Sequence, residues 1–320
     1  MKECYDVIIV GGGPAGLTAG LYCQRAAMKT VLVEKGLPGG QIAISKEVEN
    51  YPGIQGITGF QLAENMVRQA ESFGLRMVQQ EVTSIETGAG THAVGLASGE
   101  VLHCIALILA LGGTVRKLGI PGETEYLGSG VSYCATCDGL FFKDKTVAVV
   151  GGGDTAVEEA LYLAKLANKV YLVHRKDGLR AGKLLQGRLQ AEPKIELALN
   201  TVLTEIKGAI AVESVACQNV ESGIKSELQV DGVFIFIGYA PNNKLIPPDV
   251  RMNEQGFVIA GDNCETSVSG IFVAGDLRQK FANQIVVAAA DGCIAALGAA
   301  HYVEEKKAGI VPPPCAHDMA

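Results

Sequence analysis

DVIIVGGGPAGLTAGLYCQRAAMKTVLVEK, residues 6–35, and TVAVVGGGDTAVEEALYLAKLANKVYLVHR, residues 146–175, align without a gap at an offset of 140 and are identical at 11 of 30 positions. Each reads as an apolar strand (residues 7–10 and 147–150), a glycine turn, an amphipathic helix (residues 17–27 and 157–167) and a second apolar strand (residues 31–33 and 170–173). That is a βαβ unit written twice. Glycines in such a turn permit a tight bend, close approach of the backbone to a pyrophosphate and close helix-to-strand packing, with the phosphate held at a helix N-terminus. One glycine loop alone is weak evidence, but two in the same strand–turn–helix setting predict two dinucleotide sites. The fold class that follows is α/β, with two Rossmann-like domains.

The ends of the second strands separate the two sites. Glu34 closes the first copy, a carboxylate of the kind that binds a ribose 2′-hydroxyl and suits the adenosine half of FAD or NAD. His174 holds the same place in the second copy, followed by Arg175, Lys176 and Arg180. Losing the carboxylate removes repulsion for a 2′-phosphate, and the cations supply charge-assisted hydrogen bonds to it, so the second site reads as built for NADPH. A solvated basic surface is the alternative reading of the same charges.

Between the copies lies Cys134-Ala135-Thr136-Cys137, just ahead of the strand that opens the second loop. Nine cysteines are scattered along the chain, and this is the only pair at motif spacing. Most of the others read as small buried hydrophobes in a reducing compartment rather than as a secreted disulfide framework. Cysteines three apart on a helical turn share a face and can close a disulfide, and that arrangement commonly lowers a thiol pKa. A zinc half-site is the competing reading; it lacks a second closely spaced Cys or His pair to complete four ligands, and no metal is expected.

Length and composition bound the rest. A chain of 320 residues exceeds what one core usually organises, and 48% hydrophobic with 19% charged residues is material for large buried sheets. A net charge of −7 disfavours nucleic acid and anionic membranes as partners. The first strand starts at about Tyr5 with no leader-like segment before it, and no later stretch reads as a bilayer span free of glycine and charge, so a cytoplasmic location is expected. Turn-rich stretches at Gly119–Gly122 and Gly238–Pro241 flank the second copy. They predict a smaller domain, residues 118–242, inserted into a discontinuous larger one, residues 1–117 and 243–320. Residues 271–276, IFVAGD, read as a buried strand ending in Gly-Asp, followed by an apolar helix over about 284–304 and a proline-containing tail from Gly309.

The chain resembles the low-molecular-weight thioredoxin reductases, flavin-dependent pyridine nucleotide-disulfide oxidoreductases of glutathione-reductase-like fold, over nearly its whole length. The motifs are the two glycine loops, Gly39-Gly40-Gln41, Glu49-Asn50-Tyr51-Pro52-Gly53, Cys134-Ala135-Thr136-Cys137-Asp138-Gly139, the His174–Arg180 cations, and Ala274-Gly275-Asp276 with Gln284. The resemblance implies FAD in the larger domain, held by Gly11, Gly13, Gly16, Glu34, Gln41, Asn50, Asp276 and Gln284. It implies NADPH in the inserted domain, held by Gly151, Gly153, Asp154, Thr155, Ala156, His174, Arg175, Lys176 and Arg180. It also implies a homodimer that reduces the disulfide of thioredoxin or a thioredoxin-like protein, with Cys137 facing the flavin, Cys134 attacking the partner and Asp138 exchanging protons with the thiols. Asp138, Asp276 and Gln284 could each instead cap a helix.

The dithiol and the second nucleotide loop fall on one domain and must both meet the same flavin, so a rotation of that domain between half-reactions is expected. Three positions depart from the family pattern: Leu111 for a threonine, Asn283 for an arginine before Gln284, and Lys176 for an arginine. Together they leave the donor open among NADPH, NADH and ferredoxin. Cys315, with no cysteine near it, reads as a lone thiol. A catalytically silent nucleotide sensor of the same fold would carry a broken Cys pair or an eroded phosphate loop, and neither is seen.

Overall fold

The computed structural model describes residues 4–45 and 47–309; Cys315 and the proline-containing tail lie outside them. From the N-terminus come β1 (Cys4–Val10), α1 (Pro14–Arg25), β2 (Thr30–Glu34), α2 (Gly59–Ser72), β3 (Arg76–Gln79), β4 (Val82–Glu86), β5 (His92–Leu96), β6 (Val101–Leu109) and β7 (Gly113–Val115). The middle of the chain forms β8 (Val131–Ser132), the single turn α3 (Ala135–Asp138), β9 (Thr146–Val150), α4 (Asp154–Ala164), β10 (Lys169–Val173), α5 (Lys183–Gln190) and β11 (Ile195–Ala198). It continues with β12 (Thr201–Gly208), β13 (Val212–Asn219), β14 (Lys225–Gln229), β15 (Gly232–Ile235) and β16 (Tyr239–Pro241), and the chain closes with β17 (Ile271–Val273) and α6 (Ile285–Lys307).

Two compact units result, residues 1–114 with 240–320 and residues 115–239. In the first, β2, β1, β6 and β17 run parallel, β3 extends the parallel set beside β2, and β5 and β4 continue the sheet antiparallel beyond β6. Alternate residues of β1 enter different cores: Val7 and Ile9 pack with α1 and α6, while Ile8 and Val10 pack with Leu107, Leu109 and Val273. A strand buried on both faces has to be apolar throughout, which is why residues 7–10 show no polar alternation. The second unit repeats the plan in a five-stranded parallel sheet of order β11-β10-β9-β15-β8, with β12–β14 as a separate antiparallel meander.

The repeat helices begin three residues earlier than the apolar pattern predicts, at Pro14 and Asp154. Apolar periodicity registers only where the buried face starts, whereas the first turn is set by what tolerates a helix N-terminus. Proline suits the first helical position, and aspartate complements the positive end of the dipole. Helix α6 runs to Lys307, past the expected 304, and by length and composition alone it could cross a membrane. In the fold it is a core helix, with Ala288, Ala295, Ala299 and Val303 buried and Asp291 only 2% exposed.

Candidate active site

Strand β8 ends at Ser132, and two residues later Cys134 stands at the N-cap of α3 with an extended backbone. One helical turn then brings Cys137 back to the same side, and the two sulfurs are joined as a disulfide with their Cα atoms 5.3 Å apart. Thr136 Oγ1 lies 3.4 Å from Cys134 Sγ, and Thr136 is exposed while both cysteines are half-buried. Asp138 ends the turn. It heads the short 3-10 turn Gly139–Phe142 but makes no side-chain cap there, and its carboxylate accepts a 2.6 Å hydrogen bond from the Ser132 hydroxyl instead. Burial pushes the Asp138 carboxyl above the usual carboxylate range, and the Ser132 bond offsets part of that rise. A carboxyl adjoining a dithiol, held toward its protonated form, is placed to exchange protons with thiolates.

The first glycine loop fits a dinucleotide phosphate. Gly11 has φ +109, and a Cβ there would run into the Ala110 carbonyl; one at Gly16 would run into the carbonyl of Gly11. Gly13 caps α1 without a side-chain hydrogen bond, so the N-terminal amides keep the anion-binding character of a helix start. Glu34 Oε2 accepts from the Gly12 amide at 2.7 Å and Oε1 from the Gly36 amide at 2.9 Å, which fixes the carboxylate over the loop with lone pairs left for a ribose hydroxyl. Gln41 donates to the Gly113 carbonyl.

Elsewhere in the same unit, Asn50 donates to Gln284 Oε1 at 3.3 Å across 234 residues of sequence. Gln284 occupies the N-cap of α6 with no side-chain cap bond, and Asp276 sits in the 3-10 turn Gly275–Leu277, likewise without a cap. Lys280 Nζ bridges Asp276 (3.3 Å) and Asp291 (3.1 Å), and Arg278 reaches Asp291 at 2.9 Å. Asp291 also accepts the Gly275 amide. Sequence reading missed this buried charge cluster, because one aspartate in an apolar helix and two cations in a loop carry no spacing signal.

In the second loop Gly153 caps α4, again without a side-chain bond, Ala156 is buried, and Thr155 is exposed. Asp154 Oδ1 accepts the Gly182 amide at 2.8 Å, tying the helix start to the segment after the cations. His174 differs from its neighbours. Its ring is buried and lies where a Cβ on Gly152 would be, with Nε2 lacking a hydrogen-bond partner, whereas Arg175, Lys176 and Arg180 are exposed. Burial first, then the charges of Arg180, Arg175 and Lys176, lower its pKa, so the ring is held neutral under the loop. Arg180 is anchored by its own amide, which donates to the Gly152 carbonyl at 2.7 Å.

Residues 5–292 match the family model described as pyridine nucleotide-disulphide oxidoreductase. The chain is 45% identical to a thioredoxin reductase of Bacillus subtilis (strain 168), over 95% of this chain and 96% of that one. It is 44% identical to a thioredoxin reductase of Treponema pallidum (strain Nichols), over 95% and 99%. Among solved structures, the thioredoxin reductase from Streptococcus pyogenes MGAS5005 superposes with a TM-score of 0.92 at 41% identity, covering 95% of this chain and all of that one.

Proposed function

The chain belongs to the pyridine nucleotide-disulphide oxidoreductase family, on its thioredoxin reductase branch, and from that premise we propose that it carries electrons from NADPH, by way of FAD and the Cys134–Cys137 disulfide, to thioredoxin. The observation that carries the reading is the closed disulfide on the unit that also holds the second glycine loop, in a chain whose other unit holds the first. Flavin, when bound, supplies the two-electron relay between nicotinamide and disulfide.

Once reduced, the chain's own residues do the rest. The Cys134 thiolate attacks a sulfur of the partner disulfide, forming a mixed disulfide and releasing one partner thiolate. The Cys137 thiolate then attacks Cys134, restoring the internal disulfide and releasing the second partner thiolate, so the partner is reduced by two electrons and the dithiol is oxidised by two. Asp138 gives and recovers the protons these thiolates need. Gly11, Gly13, Gly16, Glu34, Gln41, Asn50, Asp276 and Gln284 hold FAD; Gly151, Gly153, Asp154, Thr155 and Ala156 hold the pyrophosphate of NADPH. Arg175, Lys176 and Arg180, exposed and free of a carboxylate at position 174, meet the 2′-phosphate.

The unit formed by residues 115–239 carries both the dithiol and the nicotinamide site, and it turns between half-reactions to present each to one flavin. A second copy of the chain covers α6, where Val286, Ala290, Ile294 and Leu297 form an exposed apolar stripe at helical spacing. The scattered free thiols suit the cytoplasm.

Anaerobic mixing of the FAD-loaded protein with NADPH, and separately with NADH, tests the reading through loss of the oxidised-flavin absorption band. Rapid bleaching by NADPH alone is expected, followed by reoxidation on adding thioredoxin disulfide. Equal bleaching by NADH would assign the donor differently, and bleaching without reoxidation by thioredoxin would remove the partner.

A further inference from the structure

Ser132 is 3% exposed at the end of β8, paired to Phe234 of β15, and its hydroxyl stands among three polar groups of the dithiol turn. Oγ accepts the Cys134 amide at 3.0 Å and faces two acceptors, Asp138 Oδ2 at 2.6 Å and the Cys134 carbonyl at 3.2 Å. A hydroxyl has one proton and two lone pairs, so it serves one of these acceptors at a time. The charged and nearer one takes precedence while Asp138 is ionised. When Asp138 gains a proton, its own O–H can donate to Ser132 Oγ, and the serine proton turns to the Cys134 carbonyl. The Cys134 amide stays bonded throughout, and neither state leaves a buried polar atom of Ser132 unpaired.

We propose that Ser132 is the positioning residue of the proton-exchange step, a hydroxyl that holds the Asp138 carboxyl against the dithiol turn in both of its protonation states and sets the pH at which it changes between them. The proposal rests on the thiol–disulfide reading above. Among the described residues no cation performs this service. The titratable side chains of α4, which packs on α3, are Asp154, Glu158, Glu159 and Tyr162. The turn after Asp138 is followed by Lys143 and Lys145, the latter over the Phe142 ring at 5.5 Å, and Tyr133 is bonded to Glu123. Burial and Ser132 are what act on the Asp138 carboxyl. Alanine at 132 would strip the carboxylate of its donor and the Cys134 amide of its acceptor; threonine would keep both.

The test is the pH dependence of iodoacetamide alkylation of the dithiothreitol-reduced holoenzyme between pH 5 and 9, in wild type, Asp138→Asn, Ser132→Ala, Ser132→Gly and Ser132→Thr. A break in the wild-type profile that vanishes in Asp138→Asn is expected. That break should move up by about one pH unit in Ser132→Ala and Ser132→Gly and return toward the wild-type position in Ser132→Thr. A break that stays put in the alanine and glycine variants overturns the proposal while leaving the thiol–disulfide reading intact. A wild-type profile indifferent to Asp138→Asn defeats Asp138 as the proton carrier and the proposal with it. Folding of the threonine variant alone, judged by flavin content, would also overturn the proposal by making the hydroxyl a purely structural requirement.

Discussion

The Tyr133 hydroxyl donates a 2.9 Å hydrogen bond to Glu123, whose carboxylate, 2% exposed, also accepts the amides of Leu118 at 2.9 Å and Gly119 at 2.7 Å. One buried carboxylate thus joins the first residues of the second unit to the residue beside Cys134. Burial and the Glu123 bond both push the Tyr133 phenol up, so it stays a donor at every physiological pH. Glu123→Gln offers one acceptor oxygen where three donors converge and is expected to cost about 1–3 kcal/mol, against about 1 kcal/mol for Tyr133→Phe. Urea midpoints measure both losses. Hydrogen exchange at the Leu118 and Gly119 amides should accelerate in the glutamine variant and change little in the phenylalanine one.

Asp291 should prove the most sensitive charged position of the first unit. Replacing it with alanine leaves the buried Lys280 side chain and the half-buried Arg278 without their shared anion, a change that typically costs about 3–5 kcal/mol. Lys280 also holds Asp276, so the same variant should release flavin during gel filtration, read as a lower ratio of visible to ultraviolet absorbance. Full flavin retention with reduced thermal stability would separate the charge cluster from the flavin site.

Lys176 meets solvent with a point charge where a guanidinium would present a planar fork. Lys176→Arg is expected to lower KM for NADPH roughly three- to tenfold through bidentate contacts to the 2′-phosphate and to leave KM for NADH unchanged. Arg180→Ala should act in the opposite direction on NADPH alone. Equal effects on both nucleotides would place these cations on the shared pyrophosphate rather than on the 2′-phosphate.

What the sequence made legible was local. The glycine turns, the all-apolar strands and the paired cysteines are spelled out within a few residues, because a dinucleotide loop and a helical-turn disulfide are short-range constructions. The helix starts slipped by one turn because Gly13 and Gly153 cap without a polar side chain, leaving nothing for a capping signature to detect. His174 reads as one more cation of a surface cluster, yet its ring turns under Gly152, since it follows directly on the buried end of β10. Ser132 with Asp138, Asn50 with Gln284, and Lys280 with Asp291 were invisible for a different reason. Each is a contact decided by how separate elements pack, and ordinary polar residues carry no mark of the partner they will meet.

His92 gives the fold a calculable response to acid. It lies on β5, 2% exposed, and neither ring nitrogen makes a hydrogen bond of ordinary geometry. Burial lowers its pKa below the usual 6.5; the nearby Ser269 backbone opposes that shift, and the charge of Lys306 adds to it. The folded state therefore resists a proton that the unfolded chain accepts. The stability this group contributes is fully present above about pH 6.5 and is lost as pH falls from there through the lowered folded value, with a slope no steeper than about 1.4 kcal/mol per pH unit for one group. His174, lowered chiefly by its own burial, contributes in the same direction. His92→Leu keeps an apolar side chain in the site and removes its titration, so the urea midpoint of this variant should fall less between pH 7 and pH 5 than that of the wild type. Parallel curves for the two proteins would mean that His92 takes up its proton without disturbing the fold.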